Sequence, residues 1–180
     1  MKIGYIVLLI LFFLQCQEST TNYESLAISI ATEAKANLQK TLISKITEGG
    51  TKLAIPFCHE NAMLFSENLG KKNGVNLKRI TDKPRNPKNA LSLEESEIFL
   101  DIQKRKTLDG VFPNQLISSD QTVTVYIPIV MMGQCLQCHG KPGEISKETQ
   151  TILGKLYPND KAIGYEVGQL RGLFSVRFQK

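Results

Sequence analysis

The chain has 180 residues, with 22 Lys and Arg against 17 Asp and Glu, for a formal net charge of +5. That length suffices for one globular domain with its own core and calls for no second one. The basic residues are scattered, with mild clusters at Lys78–Lys88 and Lys104–Lys106; they form no dense stripe of the kind nucleic acid requires, so no nucleic-acid partner is expected.

The N-terminus has the pattern of an export signal. Lys2 gives a positive start, and Ile3 to Leu14 is almost wholly apolar but too short to span a membrane. Cys16 follows at once, as the lipidated cysteine of a bacterial lipoprotein does, although Phe13-Leu14-Gln15 lacks the usual small residue before it. The expected division is a signal peptide over 1–15, a lipid anchor on Cys16 with a polar tether over 16–23, and one domain over 24–180. Ordinary secretion with cleavage nearby is the alternative. Either route puts the domain outside the cytoplasm, in the periplasm or cell envelope, and the lipid makes the membrane a partner. Cleavage removes only Lys2 among the charged residues, leaving 21 basic and 17 acidic side chains.

Leu26, Ile30, Ala34, Leu38, Leu42 and Ile46 recur every four residues, with Ala27, Ala31 and Ile43 beside them. This predicts a long amphipathic helix over 24–47, ended by Gly49-Gly50. A second helix is predicted over 51–69, with Pro56 in its first turn and Gly70 and Gly74 marking its end. It carries Cys58 and, on the same face, Ala62 and Phe65. Residues 75–81 alternate, with Val75, Leu77 and Arg79 on one side, and predict a strand. The Pro- and Asn-rich stretch 82–89 predicts a loop. Ser92 and Glu95 form a capping box for a third helix whose apolar side is Ile98, Phe99 and Ile102. Strands are predicted over 116–119, 122–131 and 173–178, where Val123-Val125-Ile127-Ile129 and Phe174-Val176-Phe178 alternate with their neighbours. Residues 160–172, with Gly164, Gly168 and Gly172, are a connection. The order predicts an α+β domain around an antiparallel sheet.

Residues 135–139 read Cys135-Leu136-Gln137-Cys138-His139, the C-x-x-C-H pattern of covalent c-type haem attachment. Two thiols three positions apart can add across the two vinyl groups of one haem, and the adjacent imidazole then falls beneath the iron. Cys135 and Cys138 are therefore the expected attachment thiols for one haem c, and His139 the proximal ligand. A redox dithiol expects a thioredoxin-like βαβ context, which this order of elements lacks. Zinc needs four ligands, for which only Cys58, His59 and Cys16 remain. Export and haem attachment agree, because bacterial c-type haem is attached outside the cytoplasm. With Cys16 given to lipid and two thiols to haem, Cys58 is left over, and an odd thiol in an exported protein needs an explanation.

Several further motifs occur in order: Ala54-Ile55-Pro56-Phe57-Cys58, Lys78-Arg79-Ile80-Thr81, Arg85-Asn86-Pro87-Lys88-Asn89, and Gly164-Tyr165-Glu166-Val167-Gly168-Gln169-Leu170-Arg171-Gly172. With Cys135 to Gly140 they resemble, over most of the mature chain, the exported PAS-like domains that carry a single covalent c-type haem. The resemblance implies a PAS-like antiparallel sheet with flanking helices. It also implies a place either alone or as the sensor part of a signalling protein. Because the chain ends at Lys180, no output domain of its own is expected.

The resemblance further implies a role for Cys58, since some members use a helix cysteine there as the distal iron ligand. A ferric iron would favour the Cys58 thiolate by direct charge. The thiolate would stabilise Fe(III), lowering the reduction potential, and its loss on reduction would open a site for CO or NO. His59 is the competing ligand; adjacent helix residues point about 100° apart, so the two cannot both face the iron. A vacant or water-ligated distal site is the third option, and Met131 and Met132 are expected in the core. Arg79, Arg85 and Arg171 are candidate contacts for haem propionates, since guanidinium pairs well with carboxylate. The expected function is a redox or diatomic-gas sensing module read by an unidentified signalling or redox partner. The alternative is a lipid-anchored single-haem electron-transfer protein. No enzyme is expected, because peroxidase-like chemistry needs distal acid–base groups over an open iron and the chain has one spare histidine.

Overall fold

A computed structural model describes the backbone from Ile3 to Lys180 and the side chains from Asn22 onward. The signal-peptide expectation, the lipidated Cys16 and nearly all of the 16–23 tether fall outside these described side chains. Among the described residues no helix is long and apolar enough to cross a membrane.

Helix α1 (Ile3–Lys72) consists of two arms broken at Gly49-Gly50, where the sequence predicts the first helix to stop. Gly50 takes φ +66°, a left-handed conformation open to glycine and unfavourable for other residues. The break folds the arms back side by side. Lys72 Nζ reaches Glu33 at 3.2 Å, and Lys45 Nζ lies 5.3 Å from the centre of the Phe57 ring. Pro56 falls in the second turn after the break rather than the first, so the arm forgoes the backbone hydrogen bond to the Lys52 carbonyl. The second arm runs through Gly70, and the turn out of it comes at Gly74, φ +65°.

Four strands follow: β1 (Asn76–Ile80), β2 (Gln115–Ser118), β3 (Thr122–Val130) and β4 (Leu170–Gln179). They form one antiparallel sheet in the order β1-β4-β3-β2. The alternation read from the sequence sorts their side chains onto two faces. Leu77, Val123, Val125, Phe174, Val176 and Phe178 pack against Ala27, Ile30, Ala31 and Ala34 of the first arm and Leu69 of the second. Ile80, Tyr126, Leu170 and Leu173 face the other way, onto Ile98, Phe99 and Ile102 of α2 (Leu93–Lys104) and Phe112. The Ser92–Glu95 capping box at the start of α2 is formed in both directions. This is the α+β arrangement expected of a PAS-like domain, an antiparallel sheet with flanking helices and a long N-terminal helix.

Two short pieces complete the chain, α3 (Leu136–His139) and α4 (Lys147–Leu156). The sequence reading leaves 147–156 unassigned. Ser146 caps α4 by accepting from the Thr149 N–H, and Thr149 is itself tied to Thr51 by a 2.7 Å hydroxyl–hydroxyl hydrogen bond. The longest strand is β4, so the C-x-x-C-H segment follows the second longest, β3.

Gly172 lies where β4 passes closest to the end of β1. A Cβ there would come within 2.5 Å of the Ile80 carbonyl oxygen, backbone that cannot swing aside. Gly172→Ala is expected to lose about 1–3 kcal/mol of stability, read as a lower urea midpoint with an unchanged m-value.

Candidate functional site

The apolar stripe of the first arm changes partner along its length. Ala27 to Ala34 are buried on the sheet, whereas Leu38, Leu42 and Ile46 of the same stripe are only partly buried. They extend past the sheet and line a cavity of about 270 Å³ between the two arms. The second arm contributes Ala54, Ile55, Cys58, Ala62 and Met63 to the opposite wall. A further cleft of about 210 Å³ runs on from it toward Ile129, Met131 and Met132, sharing Leu38, Gln39, Arg79, Cys135, His139 and Arg171. Together they reach the size of ordinary small-molecule sites, roughly 300–1,000 Å³.

The C-x-x-C-H segment forms the floor. β3 shifts register between Ile129 and Val130, and the chain leaves the sheet after Met131. A 3-10 turn over Gly133–Cys135 then leads into the single turn of α3. Cys135, which caps α3, and Cys138 within it stand one helical turn apart with His139 next to Cys138, and all three line the cavity.

The backbone from Cys138 to Gly140 is held by two backbone N–H groups and by Arg85, which also lines the cavity. The Gly164 N–H donates to the Gly140 carbonyl and the Tyr165 N–H to the His139 carbonyl, each at 2.9 Å. Arg85 Nη2 donates to the Cys138 carbonyl. The imidazole is fixed too: His139 Nδ1 is 2.7 Å from the Ala162 carbonyl oxygen. A carbonyl can only accept, so Nδ1 carries the proton. Burial holds His139 well below its usual range, with the Arg85 and Arg171 charges adding to the effect. The ring is therefore neutral, and its Nε2 lone pair is free for a metal. Tyr165 packs edge-on against the ring, centroids 6.3 Å apart.

Cys58 is half-buried in the facing wall. Burial pushes its thiol up, and Arg79 works against that. Burial also raises Cys138, opposed by Arg85, with Cys58 and Cys135 close enough to add to the rise. His59 lines the same cavity from a different depth. It is exposed at the rim, its ring edge-on to Tyr157 with centroids 4.8 Å apart. Ala62 shares the wall with Cys58, as expected from their spacing. Phe65 does not; it is 37% exposed and packs toward Phe57. Met131 is buried, and Met132 Sδ lies 3.9 Å from Gln39 Nε2.

The three arginines have different surroundings. Arg79 on β1 donates to the Ala62 carbonyl at 3.2 Å, and Arg171 at the start of β4 donates to Thr81 Oγ1 at 2.8 Å. Among the described residues neither has a carboxylate within salt-bridge distance. Burial pulls both guanidiniums below their usual range, and the Arg171 charge lowers Arg79 further. They are two cations on one cavity without an anion. Arg85 already has its anion, in a 3.0 Å ion pair with Asp160.

The cavity thus has apolar walls, two cations without an anion and a third, Arg85, paired with Asp160, two thiols and a neutral imidazole on the floor, and a third thiol opposite. Among the described residues no group of three or more His, Cys, Asp or Glu side chains is placed to hold a metal ion by itself. The arrangement suits a flat, largely apolar ligand that carries its own metal and its own anionic groups. Sequence reasoning missed Leu38, Leu42 and Ile46 as cavity walls, Met63 beside Cys58, and Asp160 and Ala162 behind His139. Only the apolar stripe carried any signal, and it does not mark where the sheet ends.

The family model described as Tll0287-like (Tll0287) matches residues 14–179. The fold is similar to that of the crystal structure of the cyanobacterial heme-protein Tll0287, with a TM-score of 0.62 and 20% sequence identity, covering 85% of this chain and 94% of that one. No curated protein matches. A family match that takes in both arms of α1 from residue 14 onward, the whole sheet and every residue of the cavity means that this chain belongs to the Tll0287-like family.

Proposed function

We propose that this chain is an extracytoplasmic haem protein that holds one haem c in the cavity between the arms of α1 and the C-x-x-C-H floor, and that it works as a redox or diatomic-gas sensing module. The observation that carries this reading is the convergence of Cys135, Cys138, His139 and Cys58 on one apolar cavity, with His139 held as the Nδ1–H tautomer. The heme-protein Tll0287, with which the fold is shared, supports the choice of cofactor. Cys135 and Cys138 would attach the haem, and His139 on the floor and Cys58 on the facing wall would ligate its iron. Arg79 and Arg171, cations without an anion, receive the propionates; Arg85 is committed to Asp160 and is left out of that role. Bound there, the haem supplies a one-electron Fe(III)/Fe(II) couple and, where a ligand gives way, a place for CO or NO.

Export with lipidation at Cys16 anchors the domain to the membrane, and a redox or signalling protein reads its state. Turnover is not part of the proposal: His59, the one spare imidazole, stands at the rim against Tyr157 rather than over the floor. A second reading, electron transfer, is favoured by one observation. The backbone clamp on residues 138–140 keeps the proximal side rigid, which keeps rearrangement small when an electron arrives.

The test uses the full exported chain, produced with haem c maturation machinery. One haem per chain should survive denaturation, and the ferrous protein should bind CO with loss of its six-coordinate spectrum. A retained haem that ignores CO and exchanges electrons rapidly without a ligand change would favour the electron carrier. No covalently retained haem would overturn both readings.

A further inference from the structure

Asp160 and Ala162 lie behind the floor of the cavity, and Arg85, which also lines the cavity, connects them to it. Asp160 Oδ1 accepts the Ala162 N–H at 2.8 Å, and Asp160 Oδ2 accepts Arg85 Nε–H at 3.0 Å. Arg85 Nη2 donates to the Cys138 carbonyl and also, at 3.3 Å, to the Ala162 carbonyl. That same Ala162 carbonyl is the acceptor for His139 Nδ1–H at 2.7 Å. The side chains of Arg85 and Asp160 are only 13% and 10% exposed, and Ala162 is fully buried. One buried carbonyl is therefore shared between the imidazole and a guanidinium, and the guanidinium is held in place by a carboxylate that also pins the N–H of the same residue.

We infer that Arg85 and Asp160 are positioning residues with opposite effects on the electron-donating strength of His139, and that together they set the Fe(III)/Fe(II) balance of the haem. This rests on His139 being the proximal ligand. A carbonyl oxygen that already accepts from a cation is a poorer acceptor for a second donor. The His139 N–H then keeps more of its own proton, and the ring passes less electron density to the metal. That favours the ferrous state relative to a ring on an unshared carbonyl. The charge of Arg85 acts in the same direction, because it stabilises the state with one more electron. The charge of Asp160 acts in the opposite direction. The step being tuned is one electron from an external one-electron donor to Fe(III), giving Fe(II); no bond within the pair breaks and no proton moves.

The two charges give the test its sign. In the haem-loaded protein, Arg85→Gln is expected to move the Fe(III)/Fe(II) balance toward the ferric state by about tenfold, the order for one nearby unit charge, which for one electron is a fall of about 59 mV. Asp160→Asn keeps an oxygen for the Ala162 N–H and should shift the balance the other way. The double variant should fall between them, and Arg85→Lys should recover part of the Arg85→Gln shift. Both residues also support the fold, so each single variant is expected to lower the melting temperature; a purely structural role would move stability down in both without opposite movements of the potential. If Arg85→Gln fails to fold, Asp160→Asn and Arg85→Lys still carry the sign. Potentials that do not move, or that move the same way in both, overturn the inference. A wild-type protein without covalent haem would instead remove the reading beneath it.

Discussion

Replacing Cys135 and Cys138 together by alanine is expected to take covalently retained haem from one per chain to none. Cys135 ends the 3-10 turn and Cys138 stands one turn further on, in α3, and both line the same cavity, as attachment to the two vinyls of one macrocycle requires. Without them the remaining hold would be His139 and Cys58 on the metal, Arg79 and Arg171 on the carboxylates, and the apolar walls. Those contacts can keep haem in the folded protein, but none survives unfolding, so acid–organic extraction should separate haem from chain completely. Each single variant should retain haem through one thioether, with an absorption band shifted to the red by the vinyl left conjugated. Cys58 makes this a fair test, because a third thiol faces the same space and is partly buried there. Haem that stays with the denatured double variant would mean that Cys58, not the floor, is an attachment point, and the assignment of roles would have to be reversed.

Much of the fold was legible because its signals are local. The turn at Gly49-Gly50, the Ser92–Glu95 capping box and the two alternating strand faces each depend on residues within a few positions of one another, and each is where the sequence puts it. α4 was legible in part, since Ile145, Ile152, Leu153 and Leu156 recur at helical spacing around the Ser146 cap; only its polar anchor is silent in the sequence. Thr149, 1% exposed, is held by a hydroxyl pair with Thr51, 98 positions away, and hydrophobic periodicity has no way to register that. The same contrast divides the site. The C-x-x-C-H pattern is five adjacent residues and announces itself. Cys58 announced only that it was unpaired; its place opposite the floor came from the resemblance, since it depends on how the second arm folds back.

Arg79, Arg85 and Arg171 look alike in a sequence. Their difference comes from partners: Arg85 meets Asp160, 75 positions later, while Arg79 meets the Arg171 charge and the Ala62 carbonyl, and Arg171 meets the Arg85 charge and the Thr81 hydroxyl. Likewise Ala34 and Leu38 are consecutive members of one apolar stripe, and only the edge of the sheet makes the first a core residue and the second a cavity wall.

Cys58→Ala is expected to change the ferric Soret and visible bands and to tighten CO binding to the ferrous protein by about 10- to 100-fold. The magnitude follows from competition. A ligand that must wait for an occupied position has its affinity reduced by the fraction of time the position is open, and an internal thiol closed over the metal about 90–99% of the time gives that range. Removing the thiolate also removes its preference for Fe(III), so the potential should rise in the same variant. His59→Ala is the matched control. His59 is one residue away but exposed and packed on Tyr157, so its loss should leave both the ferric spectrum and CO affinity unchanged. An unchanged spectrum in Cys58→Ala with a changed one in His59→Ala would transfer the distal role to the imidazole. Unchanged spectra in both would leave the distal position without a protein ligand. The wild-type affinity then separates the two functions. A sensor needs a ligand that gives way, so wild-type CO binding should be measurable yet weaker than in Cys58→Ala. If the wild type excludes CO while Cys58→Ala admits it, the thiol is a permanent ligand, and electron transfer becomes the better account of a cavity built around one haem.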